Sequence, residues 1–147
     1  MLTALRILLG ALGVSAVAIA ASILVRGAEA TAAAGEALYV ALTGYSGPPS
    51  GPWPPSMDSE LRFYAAIWGA YGIALLLATS RPEVWRRSIP YLTLTFFAGG
   101  LGRLVSHLEL GAPHPFFTLL MAIELGLPPV MLALWMGARR QLGYPPK

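Results

Sequence analysis

The chain has no cysteine, which excludes disulfides, thiolate chemistry and cysteine-ligated metals. Charge is scarce as well, at 12% of residues where an ordinary soluble domain carries about a quarter. There are two histidines, His107 and His114, and no cluster of acids beside them at ligand spacing, so no metal site is expected. A phosphate loop, a dinucleotide fingerprint and a zinc-protease motif are all lacking. No cofactor is therefore expected and no catalytic residue is assigned. What the chain has in plenty is apolar surface, 56% of its 147 residues, which places it in the membrane class. The formal charge of +3 does not point to nucleic acid, because the basic residues flank apolar runs and form no patch.

The apolar residues fall into runs long enough to cross a hydrocarbon core of ~30 Å. Ile7–Val25 is a 19-residue uncharged run between Arg6 and Arg26. Ala28-Glu29-Ala30 beyond it fits a signal-peptidase pattern, but secretory apolar regions run about 7–15 residues, so a retained helix is expected. Phe63–Ser80 gives 18 more uncharged residues, opened by Asp58, Glu60 and Arg62. Ser88–Gly102 gives 15, followed by Arg103, Ser106, His107 and Glu109. Phe116–Gly137 forms the last run and leads into Arg139, Arg140 and a polar tail. Small residues at four-residue spacing suggest packing faces: Ala11/Ser15 and Ala18/Ser22, Ala66/Ala70/Ala74, and Ala98/Gly102/Ser106.

Between the first two runs lies the long segment 26–59. Its Ala-rich first half is expected to be helical, with Glu29 and Glu36 on a wet face. Its second half, Gly47–Pro55, is too rich in proline for a helix and is expected to form an extended lid over the helix ends, with Tyr45 and Trp53 at the membrane interface.

These features predict an all-α fold: one integral membrane four-helix bundle over 1–147, with spans at about 5–25, 61–80, 89–110 and 116–137 and a Pro-rich outer loop. An even number of spans puts both termini on one side. With that side cytoplasmic, Arg6, Arg81, Arg86, Arg87, Arg139, Arg140 and Lys147 lie inside and only Arg26 plainly outside, as the positive-inside rule requires. The expected location is the bacterial cytoplasmic membrane.

That topology permits a depth argument. Arg103 lies seven residues before the outer end of its helix at Leu110, and Glu124 lies eight residues after Phe116. At ~1.5 Å per residue the two sit ~10 and ~12 Å below the outer surface, on neighbouring helices. Each alone is costly in lipid, so the two are expected to pair. Glu60, Arg62, Ser106 and His107 are expected to extend the cluster. Pro128 and Pro129 would deprive the Glu124 and Leu125 carbonyls of their helical donors and kink the helix. Gly99, Gly100 and Gly102 on the facing helix offer either close packing or a groove. The Arg–Glu pair, likewise, can fix helix register or meet a ligand, and His107 can be structural or titrating.

Asp58-x-Glu60-Leu61-Arg62-Phe63-Tyr64, Gly102-Arg103-x-x-Ser106, Gly111-x-Pro113 and Glu124 together resemble a bacterial four-helix integral membrane family of unknown function, the DUF4345 type. Its layout is similar to that of the DoxX-like membrane proteins. The likeness covers roughly residues 58–135, and the Pro-rich loop before Asp58 is longer than the family pattern. The resemblance implies a four-helix membrane domain and groups Glu60, Arg62, Arg103, Ser106 and Glu124. It carries no established activity.

The function expected from these residues is binding of a lipophilic molecule (lipid, quinone or terpenoid) at the Arg/Glu cluster, or service as an accessory subunit. The partners are then the bilayer, that ligand, and a second copy or a larger membrane complex. One alternative is a dimeric proton-coupled transporter with Glu124 as the titrating group. Another is an intramembrane acid/base enzyme such as an isomerase.

Overall fold

The computed structural model describes residues 1–139 and 141–143. Arg140 and Lys147, both counted in the orientation argument, lie outside the described residues. Among those described, the chain is all-helical with six helices: α1 Leu2–Arg26, α2 Ala28–Thr43, α3 Pro55–Ser80, α4 Pro82–Trp85, α5 Ile89–Leu110 and α6 Pro115–Ala138. The expected count of four is corrected. The Ala-rich segment is a separate 16-residue helix, and Pro82 starts a single turn inside the α3–α5 connector. Proline at the first helical position of α3, α4 and α6, and at the second of α5, suits these starts, since its missing N–H would be unpaired there anyway.

Three helices are long and apolar enough to cross a membrane: α1, α3 and α6. They mark the chain as a membrane protein. Helix α5, expected as a full span, is not one of the three; Arg103 within it, with His107 and Glu109 nearer its end, makes it less apolar than they are. Helix α3 starts six residues earlier than expected, so Asp58, Glu60 and Arg62 belong to the helix itself.

The packing runs in two halves. Helix α1 lies against α3, and α5 lies against α6. The α1–α3 contact is a glycine-mediated one. A Cβ on Gly72 would stand 2.9 Å from the Val17 backbone nitrogen, and one on Gly13 would stand 3.0 Å from the Gly72 carbonyl oxygen. The buried faces are therefore Gly13/Ala16/Ala20 and Ala65/Gly72, not the small-residue columns expected from spacing. Ala11, Ser15, Ala18, Ala66 and Ala70 are exposed, as are Ala98, Gly102 and Ser106 on α5. Each of these helices carries small residues on more than one face, and spacing alone does not say which face the partner takes.

The halves join chiefly at one end. Leu5, Leu9, Leu75, Ala78, Ile89 and Met131 form the fully buried core, and all come from the start of α1 and α5 and the end of α3 and α6. Polar ties reinforce this end: Arg6 Nε donates to the Thr79 carbonyl (3.0 Å), Trp135 Nε1 to the Arg86 carbonyl (3.0 Å), and Arg86 Nη1 to the Gly143 carbonyl (2.7 Å). At the opposite end the halves diverge, and α2, the loop 44–54 and the turn 111–114 cover the gap.

Candidate functional site

The gap between the halves is a cavity of about 1600 Å³. Its walls are mainly apolar, from Leu12 and Ile19 on α1, Leu38 on α2, Trp68 on α3, and Leu120 and Leu127 on α6. Arg103, Ser106 and Glu124 bring polar groups to it.

Arg103 Nε donates to Glu124 Oε2 at 2.8 Å. The two partners differ in environment: the Glu124 side chain is 11% exposed and the Arg103 side chain 40%. Gly100 allows the approach that seats them. A Cβ there would lie 2.9 Å from Glu124 Cβ and 3.0 Å from its carbonyl carbon, so α5 meets the α6 backbone directly one turn before Arg103. Gly99 and Gly102 take no part, since a Cβ on either meets nothing within 4 Å. Pro128 is fully buried and Pro129 exposed, and α6 continues through both. The Phe117 ring centroid lies 5.9 Å from the guanidinium carbon of Arg103, within cation–π range. Trp53 of the Pro-rich loop packs on Phe117 at 6.3 Å. The lid thus touches the ring that backs the charge.

Other expected members of the cluster stand apart. Ser106 reaches the cavity. His107 does not line it, and its Nδ1 is buried without a hydrogen-bond partner among the described residues. Glu60 is exposed and joins no ion pair among the described residues. Arg62 belongs to a second site: its Nε donates to Asp58 Oδ2 at 2.8 Å and its Nη1 to the Leu24 carbonyl at 2.5 Å. Asp58 Oδ1 accepts from the Ala28 amide at 2.8 Å. This pair therefore supplies a donor to the end of α1 and an acceptor to the start of α2, the two kinds of group that helix ends leave unsatisfied. Gly27, with φ 90°, makes the turn between them, in a left-handed conformation that a side chain would strain. The one-residue break that makes α2 a separate helix is held this way.

Sequence reasoning missed Glu36. Expected on a wet face, it is 7% exposed, and its carboxylate accepts from both the amide (3.1 Å) and the hydroxyl of Ser50. The Pro-rich loop folds back onto α2 through this contact. Tyr45 meets His114 edge-to-face at 4.9 Å, which ties the loop to the start of α6. His114 Nδ1 in turn accepts from the Phe116 amide at 3.2 Å and caps that helix. Only the proline content hinted that the loop would be ordered, and nothing in the spacing pointed to Glu36. Among the described residues no group of three or more His, Asp or Glu could hold a metal ion.

The family model for a domain of unknown function (DUF4345) matches residues 4–135, and the chain belongs to this family. The match takes in every residue of the cavity, including α1 and the Pro-rich loop. No curated protein and no solved structure matches the chain.

Proposed function

We propose that this chain is a small multi-pass protein of the bacterial cytoplasmic membrane that holds one lipophilic molecule in its cavity. A lipid, a quinone or a terpenoid fits this description. The polar head lies at Arg103 and Glu124, and the apolar body lies along α1 and α6.

The observation that carries this reading is the cavity: about 1600 Å³ of mainly apolar wall with one charge pair. Ligand sites are typically concave and apolar with a few placed polar groups, and volumes of about 300–1,000 Å³ suit drug-sized molecules. This one has room for a long chain. In the proposed topology α5 is the fourth span, its Arg103 neutralised by Glu124, which lowers the cost of a charge at that depth. Arg6, Arg81, Arg86, Arg87 and Arg139 all gather at the core end. That supports a cytoplasmic core end, cytoplasmic termini and a cavity in the outer leaflet.

Native mass spectrometry of the protein released from mild detergent tests the reading. It reads the adduct and the assembly together, whether a single chain, a homodimer or a larger complex. A defined small-molecule adduct should accompany the wild type and be lost in Arg103→Ala. The Arg103→Glu/Glu124→Arg swap keeps the pair and tells folding apart from binding. A folded wild type that never carries an adduct would contradict the proposal and leave the pair as a device of helix register.

A further inference from the structure

The geometry points to an uncharged occupant: a lipophile whose head offers a hydrogen-bond acceptor to the terminal nitrogens of Arg103. This inference rests on the cavity reading above and narrows it to a ligand class.

The first ground is the count of donors. Arg103 commits Nε to Glu124, and its two terminal nitrogens donate to nothing among the described residues. They are not sealed off, since the side chain lines the cavity and is 40% exposed. A guanidinium carries five N–H donors in a fixed fork, so most of them remain for a ligand. The hydroxyls on the facing wall are used within the protein. Ser15 donates to the Ala11 carbonyl (2.9 Å), Thr31 to the Gly27 carbonyl (2.8 Å), and Ser22 shares a hydrogen bond with Thr31 (2.8 Å). Ser106, three residues after Arg103 and therefore on the same face, keeps a hydroxyl with no partner among the described residues. Arg103 and Ser106 thus bring several unused donors to one spot.

The second ground is charge. Among the described residues the ionisable groups that line the cavity are Arg103, Glu124, His114 and the Tyr45 phenol, and the Arg103 and Glu124 charges cancel. An anionic head at the free face of Arg103 would also lie close to the Glu124 carboxylate, with no second arginine or lysine among the described lining residues to offset the repulsion. A cationic head drawn to that carboxylate would be repelled by the guanidinium held against it at 2.8 Å. A head with no acceptor would leave desolvated N–H groups unpaired, which is costly in an apolar site. A neutral ester, ketone or similar carbonyl avoids all three penalties.

Three brominated probes with the same chain separate the neutral head from the anionic and acceptor-free ones: methyl dibromostearate (neutral acceptor), dibromostearate at mildly alkaline pH (anion) and dibromooctadecane (no acceptor). Bromine quenches tryptophan at short range, and Trp53 and Trp68 line the cavity. Each probe is titrated into the detergent-solubilised protein and into Arg103→Met/Glu124→Met, which corrects for partition into detergent. Should that variant fail to fold, Arg103→Gln/Glu124→Gln serves the same purpose at nearly constant volume. A hydrogen bond to a charged group is worth about 1.5–3 kcal/mol, so the wild type should favour the ester over the alkane by roughly tenfold or more. The variant should lose that preference and still bind the alkane. Tightest binding of the anion, or equal binding of ester and alkane to the wild type, would overturn the inference and leave the cavity reading standing. A folded wild type quenched by none of the three would overturn both.

Discussion

Gly100 of α5 sits against the backbone of Glu124 on α6, so close that a Cβ would stand 3.0 Å from the Glu124 carbonyl carbon. This contact sets the helix spacing at which Arg103, one turn on, reaches the carboxylate at 2.8 Å.

Gly100→Ala should therefore destabilise the fold, by about 1–3 kcal/mol for an overpacked contact. Gly99→Ala and Gly102→Ala meet open space and should keep or raise stability, by up to about 1 kcal/mol from helix propensity. Thermal unfolding of the three variants in one detergent makes the comparison. Equal effects at all three positions would mean that α5 and α6 do not meet through Gly100.

The contrast also shows how far the sequence could be read. Depth arithmetic on two helices was enough to put Arg103 opposite Glu124, because rise per residue is fixed and each charge is costly alone. The choice of Gly100 over Gly102 was not legible. Both belong to plausible small-residue columns, and only the partner helix decides which is buried. The separate helix α2 escaped for a related reason. Ala-rich composition signals a helix, but the break at Gly27 depends on Asp58 and Arg62, some 30 residues away in sequence.

Asp58→Ala removes the acceptor for the Ala28 amide and frees Arg62 from its partner. The α1–α2 turn should then open more readily. Limited proteolysis should cut near Gly27 faster than in wild type, with only a modest fall in the unfolding temperature. Unchanged cleavage would show that the turn holds without the clamp.

Ser50→Ala takes one of two donors from the buried Glu36 carboxylate and loosens the Pro-rich loop. Hydrogen exchange at the Ser50 and Trp53 amides should accelerate by roughly tenfold, the scale of one hydrogen bond to a charged group. Exchange at the α1–α3 contact should not change. A uniform increase across the chain would instead mean that the loop contributes to global stability.

His107 buries Nδ1 without a partner among the described residues, which is costly by about 1–3 kcal/mol for a group of this kind. His107→Leu should accordingly keep or raise the unfolding temperature. It should also leave ligand retention intact, since His107 does not line the cavity. A loss of retention in a stable His107→Leu protein would place this residue in the site.

The central claim is that a lipophile occupies the space between the two helix pairs, and photolabelling reads its position directly. A long-chain diazirine is incorporated into the membrane before extraction, the protein is washed in detergent and irradiated, and the labelled peptides are sequenced. The account predicts label on cavity walls such as Leu12, Leu120 and Leu127, and its loss in Arg103→Ala. Label confined to outward residues such as Ile7, Val14 and Ile73, equal in wild type and variant, would contradict it.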